Sequence, residues 1–172
     1  MTIDIICPLY NAEEYIEGLN KSILMQDKVN INNVHYILTE SKDNTEELLK
    51  KHKCDYKVIK TFDFSHSTVR EEAAFTSKAD IVVFITQDVK IEDKNWLYEL
   101  TKDINEKDIV ACYSRQITKY DNLEKYTREK NYPDKDSIVS KEDIDKLGLR
   151  TFFFSDAASA INRKVFVELN GY

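Results

Sequence analysis

The sequence is short of the residues that mark several common enzyme classes. It holds only three glycines, none arranged as Gly-x-Gly-x-x-Gly and none in a Gly-Lys-Ser/Thr loop. The backbone cradles used by dinucleotide oxidoreductases and P-loop NTPases are therefore missing, and both readings lose their main support. Proline is nearly as scarce, at two residues of 172. With 42% hydrophobic and 33% charged residues, the composition is that of an ordinary globular chain and not of a disordered or fibrous one. No apolar run approaches the roughly 20 residues that cross a bilayer. Asp4 stands where a signal peptide carries base, which predicts a cytoplasmic protein. The net charge of −6 leaves no surplus of Lys and Arg to neutralise phosphates, so a broad nucleic-acid surface is excluded. Cysteine is limited to Cys7, Cys54 and Cys112, an odd number far apart among apolar neighbours. Free core thiols in a reducing compartment explain them better than disulfides or a metal cluster.

What is present is an alternation of two periodicities. Strand-like runs at Ile3–Cys7, Val34–Thr39, Asp55–Lys60 and Ile81–Thr86 are separated by helix-like ones at Ala12–Met25, Asn44–His52 and Ser67–Ser77. Such alternation predicts right-handed βαβ crossovers and an α/β domain with a mostly parallel central sheet. A length of 172 residues suits one domain. In the first helix Tyr15, Leu19, Ile23 and Leu24 form the expected apolar face, with Asn11 as N-cap. A further helix is expected from Asp93 or Lys94 to Asn105, and a short strand over Ile109–Tyr113. From Arg115 to Leu149 periodicity fades among charges and Tyr120, Tyr126, Tyr132 and Pro133, which predicts an irregular excursion, 115–150, of short helices and loop. Strand character resumes over Phe152–Asp156. Ala157–Ile161 is short and apolar, and Arg163–Leu169 reads as helix.

The unbroken apolar run Ile81–Ile85 ends in Thr86-Gln87-Asp88. A strand buried on both faces delivers Asp88 to the rim where ligands of open α/β sheets bind. One carboxylate together with diphosphate oxygens and water is a common environment for Mg²⁺ or Mn²⁺, and an ordinary strand-end turn is the alternative. Pro8-Leu9-Tyr10-Asn11 follows the first strand and opens the first helix, where backbone N–H groups can face an anionic ligand or simply complete a capped turn. At the end of the second strand, Glu40 is placed to accept hydrogen bonds from a base or ribose, or is merely solvated. Asp43 or Asn44 caps the helix that follows. Arg70 falls on the first turn of the third helix, where a cation opposes the helix dipole. It either binds a phosphate with its planar fork or is neutralised by Glu71 or Glu72.

Taken in order, these segments resemble the nucleotide-binding part of a family 2 glycosyltransferase with the GT-A fold, a Rossmann-like three-layer sandwich. Within that family they are most similar to the rhamnosyltransferase-like branch. The resemblance rests on Ile6-Cys7-Pro8-Leu9-Tyr10-Asn11, Glu40 to Thr45, Phe64 to Arg70, Phe84 to Asp88, and Phe154 to Arg163. It implies that Pro8, Tyr10, Asn11, Glu40, Arg70, Gln87 and Asp88 line a nucleotide-sugar pocket. Asp88 takes the last position of the family's metal-binding Asp-x-Asp. The first position here is Thr86, and the family's Arg-Asn-x-Gly reads Arg70-Glu71-Glu72-Ala73. The implied activity is inverting transfer from a nucleotide-diphospho-sugar, such as dTDP-rhamnose or a UDP-sugar. The implied acceptor is a surface polysaccharide or glycolipid precursor at the cytoplasmic face of the membrane. The family's base usually lies beyond the Gly-Tyr pair with which this sequence ends. Two expectations follow: a C-terminally truncated piece of a longer enzyme, or a donor-binding module without its base, with Asp156 as a substitute carboxylate beside the donor sugar.

Overall fold

The structure is a computed structural model that describes residues 1–104, 106, 108–118, 121, 123–132 and 134–172. Its strands are β1 (Thr2–Leu9), β2 (Asn30–Thr39), β3 (Asp55–Ile59), β4 (Ile81–Ile85), β5 (Ala111–Tyr113) and β6 (Ala158–Asn162). Its α-helices are α1 (Glu13–Leu24), α2 (Thr45–Lys51), α3 (Thr68–Thr76), α4 (Trp96–Thr101), α5 (Leu123–Asn131), α6 (Ile144–Leu147) and α7 (Arg163–Glu168). The chain divides into two compact units, Met1–Cys112 with Asp156–Tyr172, and Tyr113–Ser155.

The sheet runs in the order β3-β2-β1-β4-β6-β5. The β1–β2, β1–β4 and β2–β3 pairs are parallel, and β4–β6 is antiparallel. The expected α/β class with a mostly parallel sheet is what folds. Alternation along β1 divides the core. Ile3, Ile5, Cys7 and Leu9 pack with Ile81, Val83 and Ile85 under Ile16, Leu19, Ile23, Leu49 and Leu97, on α1, α2 and α4. On the opposite face Ile6, Val82 and Phe84 pack with Val69 and Ala74 of α3 and Phe166 of α7. All five residues of β4 are fully buried, which explains the uninterrupted apolar run.

At the other end of β1, the buried Asp4 is held by polar neighbours. Asn32 Nδ2 donates to Oδ1 at 2.8 Å and Ser77 Oγ to Oδ2 at 2.6 Å, with His35 Nε2 at 3.5 Å. A register shift between Ile3 and Asp4 leaves Asn32 outside the β1–β2 pairing, next to Asp4. A buried carboxylate needs such partners because its desolvation is costly.

Several local expectations are corrected. The buried face of α1 is Ile16, Leu19 and Ile23, with Tyr15 half-buried against them, while Leu24 is 74% exposed. The spacing 16, 19, 23 keeps one face, whereas Leu24 turns about 100° from Ile23. Asn11 does not cap α1. Ala12 holds the cap position, and Asn11 adopts φ 44 with its Oδ1 accepting Lys42 N–H at 3.0 Å. The helix-opening donors are met from across the fold instead. Thr45 Oγ1 accepts Ala12 N–H at 2.7 Å, and Asp43 Oδ2 accepts Glu13 N–H at 3.0 Å. The same Asp43 accepts Thr45 N–H at 3.1 Å through Oδ1, so one carboxylate serves the starts of α1 and α2. Pro8 and Leu9 belong to β1 and do not follow it. Proline is tolerated there because the β4 ladder has already ended at Ile6. The helix expected to Asn105 is the shorter α4, and Asn105, Tyr120 and Pro133 lie outside the described residues. Phe152 closes a 3₁₀ helix and is not in a strand; the strand begins at Ala158. Cys7 is buried, Cys54 and Cys112 are half-buried, and all three are free thiols.

The unit Tyr113–Ser155 is built on an aromatic knot. The Tyr113 ring meets Tyr132, Phe153 and Phe154 edge-on at centroid distances of 5.4 to 6.0 Å. Tyr132 Oη and Gln116 Nε2 both donate to Ser155 Oγ at 2.8 Å. Among the described residues no helix is long and apolar enough to cross a membrane.

Two consequences are measurable by chemical denaturation. Ile16→Ala removes a fully buried side chain and is expected to cost about 2–5 kcal/mol, whereas Leu24→Ala stays within about 0.5 kcal/mol. Asp43→Ala removes the acceptor shared by two helix starts and is expected to cost about 1–3 kcal/mol at neutral pH. Burial pushes the Asp43 carboxyl up, but hydrogen bonds from the Thr45 side chain and the Glu13 and Thr45 backbone outweigh it and hold it below the usual range. Its contribution is therefore complete above the unfolded value near 4 and is lost as pH falls through the lower folded value. The gap between the native chain and Asp43→Ala is expected to close in acid.

Candidate functional site

In this sheet the chain winds from β1 toward β2 and β3 on one side and later places β4 on the other. The ends of β1 and β4 thus flank the point where strand order reverses, the place where open α/β sheets bind ligands. The β1–β4 ladder covers Ile3↔Ile81 to Ile6↔Phe84 and no further. Beyond it β1 continues to Leu9 beside β2, while β4 continues to Ile85 beside β6.

Tyr10 and Gln87 meet across this opening. Tyr10 N–H donates to Gln87 Oε1 at 2.8 Å, and Gln87 Nε2 donates to the Tyr10 carbonyl at 3.1 Å. Gln87 and Asp88 are the two central residues of a turn closed by Val89 N–H to the Thr86 carbonyl at 3.2 Å. Asp88 is exposed on that turn. Thr86 N–H donates to the Ala157 carbonyl at 3.0 Å, fixing the base of the turn to the segment that carries Asp156.

Arg70, the third residue of α3, is only 4% exposed. Its Nη1 donates to the His66 carbonyl at 2.7 Å, while Nε is buried without a partner. It is not neutralised by Glu71 in the expected way, since Glu71 Oε1 accepts Tyr172 N–H at 2.7 Å. Burial pushes the Cys7 thiol up, the Arg70 guanidinium opposes that rise and Asp88 adds to it.

Burial raises the proton affinity of the Tyr172 hydroxyl, and the neighbouring Asp156 carboxylate raises it further. Asp156 Oδ1 remains buried and unpartnered, as do Ser159 Oγ on β6 and Thr39 Oγ1 at the end of β2. Buried polar atoms are normally satisfied, so open atoms on Arg70, Asp156, Ser159 and Thr39 leave hydrogen-bonding capacity for water or a ligand. Tyr172 is itself positioned by a tight chain reversal. Gly171 has φ 83, and a Cβ there would stand 2.5 Å from Glu71 Oε1. The ring of Tyr172 then packs on Phe166 at 5.4 Å and Phe84 at 6.1 Å.

The candidate residues are not all joined. Pro8 is buried within β1, and Asn11 binds the loop after β2 through Ser41 and Lys42. Glu40 is exposed at the end of β2, and its N–H donates to the Ile59 carbonyl at 2.9 Å. Among the described residues no hydrogen bond links Glu40 to Tyr10, Gln87 or Asp88. Ser41 lies on the rim that Thr39 to Thr45 were expected to form after the second strand. Its hydroxyl accepts Asn11 N–H at 2.9 Å and donates to the Thr39 carbonyl at 2.8 Å, a role its position two residues past the strand could have suggested. Among the described residues no group of three or more His, Cys, Asp or Glu could hold a metal by itself. The donor set that is present, one open carboxylate, fits a hard divalent cation that takes its other oxygens from a diphosphate and water. A groove of about 270 Å³ lies elsewhere, between α3 and the β2–β3 edge, lined by His35, Asp55, Lys57, Val69 and Glu72 among others.

The chain is 32% identical over 176 residues to the O-antigen chain rhamnosyltransferase WbaN of Salmonella anatum, an alignment covering 98% of this chain and 54% of that protein. The chain thus spans about half the length of that curated relative. Among solved structures, TarS 1–349 of S. aureus in complex with UDP-GlcNAc superimposes with a TM-score of 0.71 at 18% identity, over 99% of this chain and 48% of that one. Mannosyltransferase PcManGT from Pyrobaculum calidifontis, in complex with GDP-Man and Mn²⁺, gives 0.68 at 16% identity, over 99% and 47%. These likenesses are to GT-A glycosyltransferases and establish that fold for the sheet described above. The model of the family described as glycosyl transferase family 2 matches residues 4–169, and the chain belongs to that family.

Proposed function

We propose that this chain binds a nucleotide-diphospho-sugar at the ends of β1, β2 and β4 and serves as the donor-binding domain of an inverting glycosyltransferase. The observation that carries the reading is Arg70, a buried guanidinium with an unpartnered Nε on α3, the helix that packs against β1 through Val69 and Ile6. A guanidinium fork suits phosphate oxygens, and its burial makes an uncompensated cation costly unless an anion visits. Asp88 would hold Mg²⁺ or Mn²⁺ together with the diphosphate; when bound, the cation supplies charge stabilisation for the departing nucleoside diphosphate. Tyr10, Asn11 and Glu40 form the lip proposed to face the base and ribose, with Pro8 beneath it as part of β1. Asp156, whose buried Oδ1 has no partner, is proposed to stand beside the donor sugar.

The relative named a rhamnosyltransferase supports dTDP-rhamnose as donor and a saccharide or glycolipid precursor as acceptor. The neighbours solved with UDP-GlcNAc and with GDP-Man and Mn²⁺ support a nucleotide-sugar at this rim and a divalent cation beside it.

Isothermal titration with UDP, dTDP and GDP, each with and without Mn²⁺, tests the reading. At least one nucleotide is expected to bind, more tightly with Mn²⁺. Asp88→Asn should abolish the Mn²⁺-dependent gain, and Arg70→Lys should weaken binding roughly 10-fold through loss of the fork. A folded sample that binds none of the three refutes it.

A further inference from the structure

We propose that Gln87 is a positioning residue whose side-chain amide replaces the missing β1–β4 ladder and sets the spacing between the two lips of the crevice. The inference rests on the nucleotide-sugar reading of this rim and changes the part Gln87 takes in it, from a group that touches the donor to one that acts through Tyr10 and Asp88. Main-chain pairing of β1 with β4 ends at Ile6↔Phe84. Four residues on from Ile6 and three on from Phe84, just past the ends of β1 and β4, the primary amide of Gln87 accepts Tyr10 N–H at 2.8 Å and donates to Tyr10 C=O at 3.1 Å. That reciprocal pair has the donor and acceptor pattern of one residue of an antiparallel ladder, supplied by a side chain. Only Asn and Gln carry a carbonyl acceptor and N–H donors on one planar amide, the pattern of a backbone peptide, and Asn is a methylene shorter.

Its consequence is mechanical. Gln87 and Asp88 share one turn, closed by Val89 N–H on the Thr86 carbonyl and anchored by Thr86 N–H on the Ala157 carbonyl. With the turn tied to β6 on one side and to Tyr10 on the other, Asp88 has little freedom to shift relative to Tyr10. The side-chain oxygen and one amide hydrogen of Gln87 are already committed to Tyr10, which leaves it poorly placed to recognise a donor directly. An exposed carboxylate alone would pay ordering entropy each time it met a cation and diphosphate; holding its turn in place beforehand reduces that cost.

The test combines a measurement that needs no ligand with one that does. In the unliganded chain, hydrogen exchange of the Tyr10 amide is expected to rise about 10-fold or more in Gln87→Ala. Gln87→Glu, which keeps the acceptor, should retain most of the protection, and exchange at Leu38 in the core of β2 should not change in either variant. In titrations with UDP, dTDP or GDP plus Mn²⁺, Gln87→Ala should bind roughly 10-fold more weakly than the native chain, with Gln87→Glu between the two. Unchanged Tyr10 exchange in Gln87→Ala overturns the clamp itself. Nucleotide binding that is lost in Asp88→Asn but indifferent to Gln87→Ala overturns the positioning role and leaves the nucleotide reading intact. Absence of nucleotide binding by the native chain removes that reading and the positioning role with it.

Discussion

Parallel strands β1 and β4 lie side by side only as far as Ile6 and Phe84, and the separation beyond that pair is the constraint on which the candidate site depends. Up to that point both strands are buried on both faces, and apolar packing dictates their register. Past it each strand keeps one neighbour, β2 for β1 and β6 for β4, so a crevice opens at the reversal of strand order. The residues proposed to form the rim lie on either side: Tyr10, Asn11 and Glu40 on one, Asp88 with its positioning residue Gln87 on the other. Arg70 and Asp156 stand behind them on α3 and before β6.

At the N-terminal end of β1, Asp4 is enclosed by Asn32, Ser77 and His35, and no buried atom of that carboxylate is left open. This is the pattern of a structural charge whose partners fix strand positions. Toward the C-terminal end, Thr39, Arg70, Asp156 and Ser159 each keep a buried atom without a partner. These four leave hydrogen-bonding capacity for the proposed ligand; His52, Asn95 and Thr151 also keep an open buried atom. Asp43 belongs to neither pattern. It is a joint, serving the starts of α1 and α2 at once and holding the loops after β1 and β2 together.

Much of the fold was legible in the residues. Ile81–Ile85 announced a strand buried on both faces because it contains no polar residue to face water, and the alternation of periods 2 and 3.6 required a mostly parallel sheet. Thr86-Gln87-Asp88 stood out because an apolar run that ends abruptly has reached solvent. The errors fell where local propensity competes with partners far away in sequence. Asn11 has the chemistry of an N-cap, yet Thr45 and Asp43 satisfy those donors, and Asn11 is released to a left-handed turn. Leu24 looked apolar enough for the core, but its angle on the helix turns it outward. Phe152–Phe154 has strand propensity, yet the aromatic contacts of Tyr113 with Phe153 and Phe154 hold these two rings without a ladder.

By itself the sequence located strands β1 to β4 and the helices between them, and determined which strand lies deepest and which carboxylate the deepest strand carries to its tip. These follow from hydrophobic periodicity, a property of residues near one another in the chain. Only the tertiary structure decided that Gln87 spends its amide on Tyr10, 77 residues away, that Glu71 holds Tyr172 and not Arg70, and that Asp43 joins two helices. Hydrogen bonds of that kind are directional and short, and whether two groups come within 3 Å depends on where the whole packed core places their backbones.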